Sequence, residues 1–250
     1  MSVVLKLGGS VVTEKDQREQ VDREALARVC HAIARDRPDR LVIVHGGGSF
    51  GHPVAAEYGV DGATPTRDVA AIAEIANAMS RLNRIVVRAL VDADVPAIGL
   101  QTGAFARRRG DGNIAIDGGT VEAILEEGFV PVVRGDIALV EGSGAAVLSG
   151  DDLTTALAGT IDADRIGVCA DVPGIFDEDG AVIEHVASFE AVENVIAAPE
   201  GTDVTGGMAR KIHALLETDT PAAVFDADGL ATFLSGGWPG TRIGGDAGSF

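Results

Sequence analysis

Lysine is almost missing from this 250-residue chain. Of its 20 basic side chains only Lys6, Lys15 and Lys211 are lysines, and each lies beside a glycine-rich or turn-like segment, in LKLGGS, VVTEKD and TGGMARK. Cysteine is nearly as scarce: Cys30 and Cys169 stand far apart, without CxxC or His–Cys spacing. This excludes a disulfide framework and a structural zinc site, and both read as small buried hydrophobes. Positive charge as a whole is short. A net charge of −18 and a pI near 4.5 exclude a nucleic-acid backbone or an anionic membrane surface as partner. No run approaches the roughly 18 apolar residues of a membrane span. The start, MSVVLKLGGS, lacks the layout of a secretory signal, so a cytoplasmic protein is expected. Internal repeats and low-complexity linkers are absent too.

Hydrophobic content of 46% allows a substantial core. Short apolar runs alternate with helical patterns, the rhythm of a mainly parallel sheet covered by helices. Strands are predicted at Val3–Leu7, Leu41–Val44, Val95–Leu100, Phe129–Val133, Ile137–Val140, Ala145–Leu148, Arg165–Cys169 and Ala222–Phe225. Helices are predicted at Arg23–Arg35, Asp68–Ala93, Val121–Glu127, Asp152–Thr160, Phe189–Ile196 and Met208–Glu217. Two Gly- and Asp-rich stretches, Arg107–Gly119 and Asp171–His185, read as β-hairpins of the kind that cover ligands. The run Arg107–Arg109 reads as a solvated turn. A single domain is expected, made of two lobes at 1–145 and 146–250.

Two segments carry chemistry. Lys6-Leu7-Gly8-Gly9-Ser10 ends the first strand, and its glycines let backbone N–H groups approach an anion. His45-Gly46-Gly47-Gly48-Ser49-Phe50-Gly51-His52 follows the second strand and opens a helix, whose N-terminus adds unpaired N–H groups. A phosphate suits both places, and a lysine ammonium is a point charge matched to phosphate oxygens. GGGSFG also satisfies GxGxxG, but the acidic residue a dinucleotide site expects about 20 residues on is replaced by a polar loop at Asp61–Asp68. No GxxxxGK[ST] occurs, which excludes a P-loop.

With KLGGS (6–10), HGGGSFGH (45–52), SGDD (149–152), DVPGIF (171–176), TDVTGGM (202–208) and GTRI (240–243), the chain resembles the amino acid kinase superfamily nearly end to end. The second histidine of HGGGSFGH makes it similar, within that superfamily, to the isopentenyl phosphate kinases and to a fosfomycin-resistance kinase. The resemblance implies a three-layer α/β/α sandwich with a mainly parallel central sheet, a homodimer, and ATP with Mg²⁺ as reactants. It also implies an acceptor role for the lobe at 1–145 and an ATP role for the lobe at 146–250. It gives Lys6, His52, Asp151 and Lys211 as catalytic residues. ATP would be held by Lys6, Gly8, Gly9, Ser10, Lys15, Gly48, Asp171, Gly174, Gly206 and Lys211. The acceptor, a small prenyl monophosphate, would lie against Gly47, His52 and Gly150, with its tail near Ile75 and Met79. That pair belongs to a helical stripe with Ile72 and Ala76, which core packing also explains. Asp151 would orient the lysines, Asp152 would cap the following helix, and no residue is named as a metal ligand. Where relatives commonly read TDVDG, this chain has Ala170-Asp171-Val172-Pro173-Gly174, which changes fine nucleotide contacts. Two other readings stay open: a kinase of another small phosphate or phosphonate, and a nucleotide sensor without turnover. His31, His185 and His213 receive no role.

Overall fold

Strand β1 (Ser2–Leu7) occupies the middle of the molecule because Val3–Leu7 are all buried, Lys6 among them. A strand covered on both faces reads as an unbroken apolar run. In the computed structural model, which describes residues 1–192 and 207–245, β1 lies between β2 (Arg40–His45) and β9 (Arg165–Cys169). Beyond β2 come β6 (Val130–Arg134) and β3 (Ala97–Gly99); beyond β9 come β11 (Ala222–Phe225), β12 (Thr241–Ile243) and β10 (His185–Val186). Every pairing in this eight-stranded sheet is parallel except β11 with β12.

Side chains alternate across the sheet with period two. Leu5, Leu41 and Ile43 enter one core with α2 (Arg23–Asp36), α4 (Val69–Asp92) and α9 (Leu230–Leu234). Val4, Val42 and Val44 enter the opposite core with α6 (Gly118–Glu126), α7 (Gly150–Thr160) and α8 (Gly207–Leu216). This is the expected α/β/α sandwich. Each fully buried Val, Leu or Ile in it contributes roughly 1.5–3 kcal/mol of transfer free energy. α4 keeps Ala71, Ile75, Ala78, Met79, Leu82, Val86 and Leu90 inward at helical spacing, and Asp68 caps it by accepting from Ala70 N and Ala71 N.

A second, four-stranded sheet comprises β5 (Ile114–Ile116), β4 (Ala106–Arg108), β7 (Asp136–Val140) and β8 (Gly144–Leu148). Its β4–β5 hairpin is the one predicted at Arg107–Gly119. The second predicted hairpin is reduced to a bridge between Phe176 and Val182. The lobe division at 145/146 falls inside β8, which pairs along its whole length with β7. Three local readings change. Arg107–Arg109 is no free turn, because Arg107 and Arg108 lie in β4 and pair with Glu141 and Asp152. Ser149, not Asp152, caps α7; Asp152 returns the bond as the third residue of a capping box. Of the helix predicted at 189–196, residues 189–191 form one 3₁₀ turn, and 193–196 lie outside the described residues. α1 (Gly9–Val12), α5 (Thr102–Phe105), α9 and β12 were not anticipated, being too short to show a period.

Candidate active site

The carboxyl ends of β1, β2 and β9 are level, since Leu7 pairs with both His45 and Cys169. Ligands in open parallel sheets bind just beyond such ends. Three backbone turns meet there: Gly8–Ser10 after β1, Gly46–Gly48 before α3 (Gly48–Glu57), and Ser149–Asp151 before α7. Among the described residues no group accepts from the N–H of Gly9, Ser10, Gly47, Gly48, Gly150 or Asp151. Six donors are thus left for a ligand. The first two turns touch: a Cβ on Gly9 would stand 2.5 Å from Gly48 N, and Gly48 itself has φ +47° and would overlap Thr13 Oγ1. Neither position admits a side chain.

Lys6, on the α7 side of β1, meets Asp151 on the first turn of α7 at 2.5 Å. Burial lowers the Lys6 pKa, with Lys211 adding to the effect, while Asp151 and Asp152 oppose it. Lys211, half-buried on α8, therefore acts on the same space. Lys6 lines a cavity of about 150 Å³. Gly47, Gly150 and His52 line it as well, while Ala55, Ile75, Met79 and Val147 form its apolar walls. His52, on the first turns of α3, is exposed at the cavity rim. Partial desolvation by the protein atoms around the ring lowers its pKa, and the charge of Lys6 lowers it further. An imidazole so placed is neutral until an anion arrives.

A wider groove of about 680 Å³ opens between α2 and α4. It contains none of the lysines and none of the glycine turns, so size does not mark the site here.

Just beyond the end of β9 Lys15 pairs with Asp171, both substantially exposed. Partial burial alone would raise the Asp171 carboxyl; the hydrogen bond from Lys15, with the charges of Lys15 and Lys211, outweighs it and leaves the pKa lowered. Gly8 N donates to Cys169 O at 2.8 Å, tying the β1 turn to β9. Gly174 is packed against its own fold. It is buried where a Cβ would meet Val182 and Thr241, and Thr241 Oγ1 accepts from Ile175 N at 2.7 Å. Gly206 lies outside the described residues, as does most of TDVTGGM.

The model of the family described as "Amino acid kinase family" matches residues 1–218. The chain belongs to the amino acid kinase family. Among its relatives, isopentenyl phosphate kinase of Haloferax volcanii is 44% identical over 98% of this chain and 99% of its own length. Isopentenyl phosphate kinase of Methanothermobacter thermautotrophicus is 35% identical over 86% of this chain and 85% of its own length. A crystal structure of isopentenyl phosphate kinase superposes with a TM-score of 0.82 at 31% identity, covering 97% of this chain and all of that one.

In this amino acid kinase family member, several residues that shape the site escaped sequence reasoning. Thr13 holds both anion turns, donating to Gly9 O at 2.8 Å and accepting from Ser49 N at 3.0 Å. Asp136 lines the cavity with its carboxylate taken up by Arg134 Nε and Ile137 N, both at 2.8 Å. Burial raises its pKa against the pull of Arg134. Asn83 interrupts the apolar stripe of α4 and bonds His45. Its polarity at a core position was the one legible signal among these.

Proposed function

We propose that this chain transfers the γ-phosphoryl group of ATP to the phosphate of isopentenyl phosphate, forming isopentenyl diphosphate and ADP. An acceptor phosphate oxygen attacks Pγ, and the bond from Pγ to the β–γ bridging oxygen breaks, its electron pair leaving with ADP. The observation that carries this reading is the small cavity with a mixed lining. Lys6, His52 and free N–H groups line it together with Ile75, Met79, Ala55 and Val147. A phosphate on a short branched hydrocarbon matches both kinds of lining.

Lys6 and Lys211 neutralise charge as it develops on the transferred group, and the N–H groups of Gly9, Ser10 and Gly48 hold its oxygens. Asp151 keeps Lys6 aimed. His52 takes a proton as the acceptor dianion binds and holds the attacking oxygen in line. Lys15 leaves Asp171 for the ATP phosphates, and Asp171 remains on the nucleotide side. Mg²⁺, bound with ATP, would neutralise phosphate charge alongside Lys6 and Lys211. We further infer a cytoplasmic homodimer adapted to high salt, the last from the net charge of −18.

A kinase of another small phosphate or phosphonate would use the same polar groups, so the tail decides. The test is ADP release with Mg²⁺ and ATP across isopentenyl phosphate, fosfomycin, uridine monophosphate and acetylglutamate. Isopentenyl phosphate is expected to lead by orders of magnitude. Equal turnover of a carboxylate acceptor would overturn the reading.

A further inference from the structure

His45 ends β2 fully buried and so touches neither substrate. Its ring nonetheless connects α4 to the anion turn. Nδ1 lies 3.0 Å from the carbonyl oxygen of Gly46, and Nε2 lies 3.0 Å from Asn83 Oδ1. Asn83 is buried as well, and it has little room: a Cβ on Gly99 would come within 2.7 Å of its carboxamide.

Burial lowers the His45 pKa against the pull of its bonds to Gly46 and Asn83, with Arg134 adding to the lowering, so the ring is neutral and carries one N–H. The Gly46 oxygen can only accept, which assigns the proton to Nδ1. Nε2 is then an acceptor, so the amide is assigned with its NH₂ group, in place of Oδ1, toward the ring. Half a turn about the last side-chain bond brings that group to the position 3.0 Å away without moving any carbon. The described peptide bonds are all trans, so a peptide whose C=O is fixed toward the ring points its N–H the opposite way. That N–H belongs to Gly47, which lines the cavity and has no acceptor among the described residues. A bond whose only purpose was to join β2 to α4 would not need the carbonyl of the next residue.

We propose that Asn83 is a positioning residue for the acceptor: through His45 it fixes the Gly46–Gly47 peptide so that Gly47 N–H meets the acceptor phosphate. The proposal rests on the cavity being the acceptor site.

The test uses the full chain with Asn83→Leu and Asn83→Asp, read by imidazole ¹⁵N shifts, melting temperature, and KM for each substrate. In the wild type His45 is expected as the neutral Nδ1–H tautomer. Asn83→Asp offers only an acceptor and should move a proton onto Nε2. Asn83→Leu should raise KM for isopentenyl phosphate about tenfold, the scale of one hydrogen bond to a charged group, with KM for ATP within twofold. A wild-type Nε2–H tautomer, or KM values for both substrates that stay put or rise together, would overturn the relay alone. Isopentenyl phosphate failing to bind the wild type would remove the acceptor reading and the proposal with it.

Discussion

Lys6 and Lys15 each pair with an aspartate, yet the Lys6 side chain is 8% exposed and that of Lys15 is 58% exposed. Lys6 is enclosed by packed glycine turns with His52 at the rim, whereas Lys15 and Asp171 face water and hold each other. A buried pair is held in place by its surroundings and loses little to solvent, whereas an exposed pair is screened and easily exchanged. On the proposed function, discrimination is expected of the enclosed end and admission of ATP of the exposed one.

The sharpest way to break this contrast is to remove the buried charge. Lys6→Met is expected to reduce kcat on the order of 10³-fold, the scale of losing a preorganised charge-stabilising donor, and Lys211→Met similarly. ADP release beside a melting curve checks it; near-normal turnover in a folded Lys6→Met would end the assignment. His52→Ala comes next, with a loss of about 10²-fold and ATP binding unchanged. His52 also has a pH signature. Its pKa is lowered in the empty protein and a bound dianion raises it, so acceptor binding takes up a proton. Acceptor affinity should fall as pH rises from the lowered value of the free protein to the raised value of the complex. Calorimetry in two buffers of different ionisation enthalpy measures the uptake. Lys15→Met should raise KM for ATP only about tenfold, with kcat nearly kept, because its charge is solvated.

Smaller effects sharpen the comparison. Ile75 and Met79 are buried and also line the cavity, while Ile72 and Ala76 do not reach it, so the α4 stripe divides between packing and recognition. Met79→Ala should favour longer prenyl phosphates by a few-fold per accommodated methylene, at about 0.8 kcal/mol each. The same change costs about 2–5 kcal/mol of stability. The ratio of ten-carbon to five-carbon turnover, set against melting temperature, separates the two. Smallest is the effect of salt on the wild type. Between 0.1 and 1 M, where the Debye length falls from about 10 to 3 Å, KM for ATP should change several-fold and KM for the acceptor hardly at all. Melting temperature should rise over the same range as the −18 charge is screened; a fall would mean the acidity is no salt adaptation.

Much of this was legible in the chain. Val3–Leu7, apolar but for Lys6, runs straight into Gly8, and Leu41–Val44 reaches Gly46 through His45, which places the glycine turns at strand ends without any tertiary knowledge. The structure brings Lys6, Gly47, His52, Gly150, Asp151, Ile75 and Met79 to one cavity, as their motifs implied. What stayed hidden depends on partners distant in sequence. Arg108 meets Asp152 across 44 positions, and His45 meets Asn83 across 38. No local period encodes such pairs. Gly174 shows the same dependence: the close approach its motif marks is to Val182 and, distant in sequence, to Thr241.

Lys6 belongs to the innermost strand of the larger sheet, hydrogen-bonded on both sides by β2 and β9. A backbone amide there opens to solvent only when the sheet itself comes apart, so its exchange with deuterium should report the global unfolding free energy. The ammonium at the heart of the site then cannot be lost by partial opening. In rising denaturant, acceptor binding should survive until the whole sheet melts, and its midpoint should coincide with that of the core.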